Sequence, residues 1–285
     1  TDISTEIIDI YLWDAQQPLP FEKQFSKLAD YYYPGCRVNF FNLKYYQQQN
    51  IYIQVSESFF VFMPDYLLDA SAIAECYGKQ LLPETWLLKL FNDNDYSEPL
   101  IKGILVNQIL DNMINEVDIS IEETVEKELT KNALKILTRE GFDSSKIISS
   151  IEDCHLDNIV QLVNRYKNQQ IITEPSFISA EYGIQGRLDG LIEDSENANY
   201  KGIFELKSGK SPHYEVWENH RAQVACYDLI LKSVYGKDRS GHSMIFYSAA
   251  EKDPLRNVFI KESVIMRIIM LRNHIVSNIF KLGEG

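Results

Sequence analysis

The chain has 285 residues, enough for one large domain or two small ones around a sizeable core. Apolar residues make up 45% and charged residues 24%, which excludes collagen, a disulfide scaffold and wholesale disorder, and no run approaches the ~18–20 apolar residues of a membrane helix. Lys and Arg number 28 against 41 Asp and Glu, a net charge of −13; this argues against a non-specific nucleic-acid coat, though net charge does not speak to one small carboxylate-built site.

The first ten residues carry Asp2, Glu6 and Asp9 in place of a basic leader, so they do not read as a signal peptide. With no initiator Met and an end at Leu282-Gly-Glu-Gly285, the chain reads as a piece of a longer protein. Cys36, Cys76, Cys154 and Cys226 stand singly, without the paired spacings of a zinc site, and predict reduced thiols in a cytoplasmic protein.

Residues 1–64 are aromatic-rich and broken by Pro18, Pro20, Pro34, Gly35 and Pro64. Three short runs, Arg37–Leu43, Ile51–Val55 and Phe59–Met63, predict strands of a small antiparallel unit or barrel. The expected organisation is this β-rich unit over 1–64, then a second domain over 65–285. That second domain opens with helices at Ala70–Gly78 and Pro83–Phe91, the latter with proline in its first turn.

From Leu100 the apolar residues Ile104, Leu105, Ile109, Leu110, Met113 and Ile114 recur at helical spacing. Helices over Ile121–Arg139 and Ser144–Asn168 follow. In the first of these, Glu123 with Lys127 and Glu128 with Lys131 support the wet face. Alternating runs at Gly183–Glu193 and Lys201–Lys207, joined by a polar link, predict a β-hairpin. Then come a helix over Glu215–Tyr235, strands at His242–Ser248 and Asn257–Ile260, and a closing helix over Ser263–Leu282. The order predicts an α/β fold with a central mixed sheet flanked by helices.

Chemistry concentrates in the hairpin. Asp189 sits in the first predicted strand, where a charge is costly unless paired. In the second, period-2 alternation puts Ile203, Glu205 and Lys207 on one face and Phe204 and Leu206 on the other. Two carboxylates on adjacent strands repel and need a cation between them; hard oxygen ligands suit Mg²⁺ or Mn²⁺. Lys207 would orient a metal-bound water or stabilise charge on a phosphate. A lone Glu-x-Lys is more often a plain surface salt bridge. Two features shift the balance: Asp189 stands sixteen residues before Glu205, and His220, Gln223 and Tyr227 share one face of the next helix. Gly209-Lys210-Ser211 lacks the earlier glycine of a phosphate-binding loop, since position 204 is Phe. Lys210 and Arg221 fit a phosphate-facing rim with Lys207. The aromatics Tyr31, Tyr32, Tyr33, Phe40 and Phe41 read as core before base-stacking.

These motifs resemble the PD-(D/E)XK nucleases of the RecB-like branch, which includes the nuclease domains of replication helicase-nucleases and of CRISPR-associated adaptation nucleases. The branch's ordered motifs stand here as Gly103-Ile-Leu-Val-Asn107, Gly186-Arg-Leu-Asp189, Glu205-Leu-Lys207 and Gln223-Val-Ala-Cys-Tyr227. The stretches Gly183–Asp189, Phe204–Lys210, His220–Gln223 and Pro64–Cys76 are most similar to the replication helicase-nucleases, and the likeness covers roughly residues 60–285. It implies a restriction-endonuclease-like core that cuts single-stranded or flap DNA in repair and recombination, with a fused or associated helicase. Asp189, Glu205 and the main-chain carbonyl of Leu206 would hold the metal. Lys207 would be the catalytic lysine, with Gln223 and Tyr227 supporting the site. Lys210, His220 and Arg221 would meet DNA. Glu174, fifteen residues ahead of Asp189, is either a secondary acid or an exposed loop residue.

Two departures stand out. Asn107 occupies the place of a metal-binding His; it is either a weaker oxygen ligand or a satisfied core residue. Many relatives hold an iron–sulfur cluster with one upstream and three downstream cysteines, yet no cysteine follows Cys226, so no cluster is expected from this chain alone. The rival function is a nuclease-derived module that grips a DNA end without cutting it, against which stands the intact Asp189, Glu205 and Lys207 set. An RNA-directed enzyme of the same fold is a third reading.

Overall fold

The computed structural model describes residues 7–10, 19–22, 31, 33, 35–48, 51–53, 55, 57–79, 81–91, 97–131 and 143–283. The strands are β1 (Ile7–Ile10), β2 (Leu19–Glu22), β3 (Val38–Phe41), β4 (Lys44–Tyr46), β5 (Ile51–Ile53), β6 (Phe59–Phe62), β7 (Leu68–Asp69), β8 (Gln170–Thr173), β9 (Ser176–Ser179), β10 (Ile184–Arg187), β11 (Gly190–Glu193), β12 (Lys201–Lys207), β13 (Ser243–Tyr247) and β14 (Leu255–Asn257). The helices are α1 (Ala70–Cys76), α2 (Pro83–Lys89), α3 (Glu98–Ile114), α4 (Ile121–Lys131), α5 (Ser144–Ile151), α6 (Asp157–Arg165), α7 (Glu218–Tyr235) and α8 (Glu262–Gly283).

The central sheet runs β14-β13-β12-β11-β8. Its β12–β13 pair is parallel and the other pairs are antiparallel, so the sheet is mixed and the α/β expectation holds. β12 explains the layering, because its alternating residues enter two different cores. Ile203 packs with Leu191, Ile245 and Tyr247 against α1, α7 and α8. Phe204 and Leu206 pack with Ile192, Met244 and Phe246 against α3, α4, α5 and α6.

Local chemistry sets several helix starts. Ser120 and Glu123 form a reciprocal capping box ahead of α4, and the Asp143 carboxylate accepts from the Ser145 and Lys146 amides ahead of α5. The predicted helix over Ser144–Asn168 is α5 and α6 joined by a wide π turn at Glu152–Leu156. That turn carries buried His155, whose Nδ1 lies 2.8 Å from Ser248 Oγ.

β3 and β6 pair antiparallel, and β6 enters the same core as α8. Tyr31, Tyr33 and Phe41 pack there too, as core readings of those aromatics require, whereas Tyr32 lies outside the described residues. The other N-terminal sheet, β1-β2-β5-β4, includes a parallel β2–β5 pair, so the N-terminal strands are not all antiparallel. Arg272 of α8, fully buried, donates to the main-chain carbonyls of Phe62, Met63, Tyr66 and Gly183. Gly183, at φ 59°, leaves room for that guanidinium where any Cβ would collide.

Two expectations need correction. The run Gly183–Glu193 is not one strand: it breaks at Leu188-Asp189 and changes sheets, β10 joining β7 and β9 while β11 joins β8 and β12. Asp189 is therefore at a strand junction. The last short strand is Leu255–Asn257 rather than Asn257–Ile260, because Leu255, Arg256 and Asn257 take the register opposite β13. Among the described residues, no helix is long and apolar enough to cross a membrane.

Candidate functional site

The sheet break sets the site. At the junction the Asp189 carboxylate turns back on the neighbouring strand, and its Oδ2 accepts from the Leu206 amide at 2.6 Å. Asp189 thus stands beside Glu205 and Lys207, although no ladder pairing joins them. Lys207 Nζ donates to Glu205 Oε1 and to Gln223 Oε1, both at 2.9 Å. Gln223 Nε2 donates to the Tyr227 hydroxyl at 2.9 Å, and that hydroxyl donates to the Arg187 carbonyl at 3.0 Å. The Gln-x-x-x-Tyr spacing, one turn of α7, makes this line possible. Gly186 completes it: a Cβ there would meet Tyr227 Cε1 at 2.6 Å, so the ring comes close against a strand that has no side chain at that point.

The electrostatics are strained. Burial, then the neighbouring Glu205, pushes the Asp189 carboxyl well above its ordinary value. Burial pushes Glu205 up as well, against the pull of Lys207. Glu205 neighbours Asp189, and Glu205 Oε2 is buried without a donor. Two acceptors facing one another need a proton or a cation. Burial favours a neutral Lys207, but Glu205 outweighs it and holds the ammonium in its charged form.

On the other face of the sheet, α3 runs past the same junction. A Cβ on Gly103 would lie 3.2 Å from Ser208 Oγ, just beyond Lys207. One turn on, Asn107 Nδ2 donates to Glu174 Oε1 at 3.4 Å, and three turns on, Asn115 Nδ2 reaches Thr173 Oγ1 at 3.2 Å. Asp111 sits between them on the same stripe. Asn107 Oδ1 and Asp111 Oδ1 are buried and have no donor. Burial, then Glu174, pushes Asp111 up to about 7, against Arg187. Glu174 is no idle loop residue: it also pairs with Arg187 Nη1 at 3.4 Å, and its amide donates to the Asp189 carbonyl.

Asp111 is the acidic residue that motif reading missed. Its signal is the i, i+4 spacing of Gly103, Asn107, Asp111 and Asn115, a stripe beside the apolar face of Ile101, Leu105, Ile109 and Leu110. The residues expected to meet DNA have separate partners. Lys210 is exposed, Arg221 pairs with Glu215, and His220 Nδ1 lies 3.0 Å from the Tyr247 hydroxyl, with burial and Lys207 pushing its pKa down to about 3. Cys76 and Cys226 are both buried in the core.

Asp189, Glu205, the Leu206 carbonyl and the Asn107 and Asp111 side chains are the oxygen groups near the junction that could contribute to holding a hard cation. Among the described residues, no cluster of three or more His, Cys, Asp or Glu side chains is set to hold a metal.

No curated protein matches the chain. Twelve solved chains are similar; one of them, SSO0001, aligns over 62% of this chain and 85% of its own length at 15% identity and a TM-score of 0.29. The family model of DNA replication factor Dna2 matches residues 31–176, from the N-terminal aromatics through α3 to the start of β9 and just short of Asp189. That is just over half of the sequence, and the chain belongs to the Dna2 family of nuclease-related DNA replication factors.

Proposed function

We propose that the chain is a divalent-metal-dependent deoxyribonuclease of the RecB-like PD-(D/E)XK type, acting on single-stranded or flap DNA within a larger helicase-nuclease. The observation that carries this reading is the pairing of a fixed lysine with unanswered buried oxygens. Lys207 is held at 2.9 Å by both Glu205 and Gln223, while Glu205 Oε2, Asn107 Oδ1 and Asp111 Oδ1 are buried without donors. A structural salt bridge accounts for the first and not for the second.

Asp189, Glu205 and the Leu206 carbonyl would hold Mg²⁺ or Mn²⁺, with Asn107 and Asp111 contributing from α3. When bound, the cation would lower the pKa of water and stabilise the charge developing on the phosphate. The chain's own residues do the rest. Lys207, kept charged by Glu205, donates to the phosphate instead of serving as a base. Tyr227 fixes the Gln223 amide so that its oxygen faces Lys207, which stops the ammonium from swinging away. Tyr227 in turn is anchored on the Arg187 carbonyl, so α7 and the strand junction hold the lysine jointly.

The test is cleavage of end-labelled single-stranded DNA with Mg²⁺, Mn²⁺ or EDTA, beside Glu205→Ala. Metal-dependent cutting lost in the variant supports the reading, and cutting that survives it overturns the site. Binding without cutting under either metal would favour the DNA-end scaffold, the alternative that Asn107 in place of a histidine supports.

A further inference from the structure

The segment from Ser208 to Trp217, between β12 and α7, interleaves Lys210, His213, Tyr214 and Trp217. It is firmly tied. Arg256 of β14 donates to the main-chain carbonyls of Pro212 at 2.8 Å and Glu215 at 2.6 Å. The Trp217 indole donates to the Lys210 carbonyl at 3.1 Å, and the Trp217 amide to the Tyr247 hydroxyl at 3.2 Å. Glu215 takes a left-handed φ of 54°. The loop also buries its own apolar residue, Val216.

Tyr214 on this tied loop is 87% exposed, ahead of Phe91 and Phe259 among the exposed large side chains. Scattered surface aromatics are ordinary. Here, however, a loop with three hydrogen bonds to β13 and β14, one internal bond and a left-handed backbone residue holds the ring out in solvent, where burial would be the gain expected of it. The location is equally specific. Arg256 lies over the Tyr247 ring, 5.0 Å from its centroid, and Tyr247 pairs in register with Lys207. The loop that presents Tyr214 is therefore pinned directly beside the end of the strand that carries the lysine.

We infer that Tyr214 is a stacking platform for a base of single-stranded nucleic acid whose backbone runs past Lys207, with Lys210 facing a neighbouring phosphate. The inference rests on the nuclease reading, which brings a phosphodiester to Lys207. It adds how the strand is gripped next to the cut. An aromatic face accepts any base, so the grip is tolerant of sequence and requires an unpaired one.

The test measures binding of a fluorescein-labelled oligothymidylate, and of an abasic oligonucleotide of equal length and charge, to the full chain with Glu205→Gln to prevent cutting. Tyr214→Ala should weaken thymidylate binding by about tenfold, Tyr214→Phe should leave it unchanged, and neither should alter abasic binding. Tyr214 is exposed, so the variants should melt with the parent. Equal thymidylate affinity in Tyr214→Ala overturns the platform and leaves the nuclease reading standing, with the ring then free to serve a protein partner. If the parent binds neither oligonucleotide, the nuclease reading itself falls and takes this inference with it.

Discussion

Glu205→Gln should make the metal-free chain more stable while abolishing cleavage. Glu205 is 3% exposed, and the glutamine amide keeps its shape and its acceptor for Lys207. The substitution removes the repulsion of Asp189 and the attraction of Lys207 together, opposing terms that are each on the order of 4 kcal/mol for charges at about 4 Å and an effective dielectric of about 20 and so offset one another in part. What remains is the cost of keeping a carboxylate out of water. In full that is several kcal/mol, but the parent can hold a proton instead, at about 1.4 kcal/mol per unit of pKa shift. The expected gain is about 1–3 kcal/mol, or about 2–5 °C in a chain of this size. Burial raises the pKa of both Asp189 and Glu205 above their unfolded values. The folded chain therefore keeps protons that the unfolded chain has released, and the parent loses stability as pH climbs from about 4 through the raised values. The variant's advantage should be present at about pH 8 and vanish toward about pH 4. Differential scanning fluorimetry in EDTA at the two pH values reads this, and added Mn²⁺ should stabilise the parent by mass action but not the variant. A variant less stable than the parent at about pH 8 would falsify the reasoning, because Glu205 would then be the structural partner of Lys207.

Two further predictions follow from neighbouring contacts. Asp111, held at about 7 by burial and Glu174, must lose its proton to meet a cation, so Mn²⁺ affinity measured by calorimetry should rise through that pH. Asp111→Asn should weaken Mn²⁺ binding and flatten that rise; an unchanged profile would remove Asp111 from the site. Gly186→Ala drives a methyl into the Tyr227 ring, where a Cβ would stand 2.6 Å from Cε1. It should cost about 1–3 kcal/mol in urea unfolding and, by shifting the ring off Gln223, lower cleavage more than Tyr227→Phe does.

Much of this fold was legible because burial imprints a period. β12 alternates between two cores, so Glu205 and Lys207 fall on one face and Phe204 and Leu206 on the other, as the sequence pattern requires. The break at Asp189 was not legible, since a chain that changes sheets keeps the same alternation on either side of the step. The carboxylate bond to the Leu206 amide that marks the step is a tertiary contact. The start of α7 was read three residues early for a similar reason: Glu215 takes a left-handed φ and Val216 turns into the core, while the letters alone favour helix. The π turn at Glu152–Leu156 hides in the same way within a continuous helical pattern.

On the proposed reading, the stripe on α3 lets a motif lose a residue without losing its chemistry. A histidine at position 107 would offer one nitrogen to a cation. Asparagine offers an oxygen, but only if its amide is turned outward. Glu174 does the turning: it accepts from Nδ2 and so leaves Oδ1 facing away, buried and without a donor. Glu174 is held for that task by Arg187 and by its own amide on the Asp189 carbonyl, which couples the α3 side of the site to the strand junction. One turn along α3, Asp111 adds the negative charge that a neutral amide lacks. On the proposed reading the pair Asn107 and Asp111 stands in for one imidazole, and it makes cation binding more dependent on pH than a histidine would. Asp111 must ionise against burial and Glu174 at about 7, whereas an exposed imidazole is already largely neutral there.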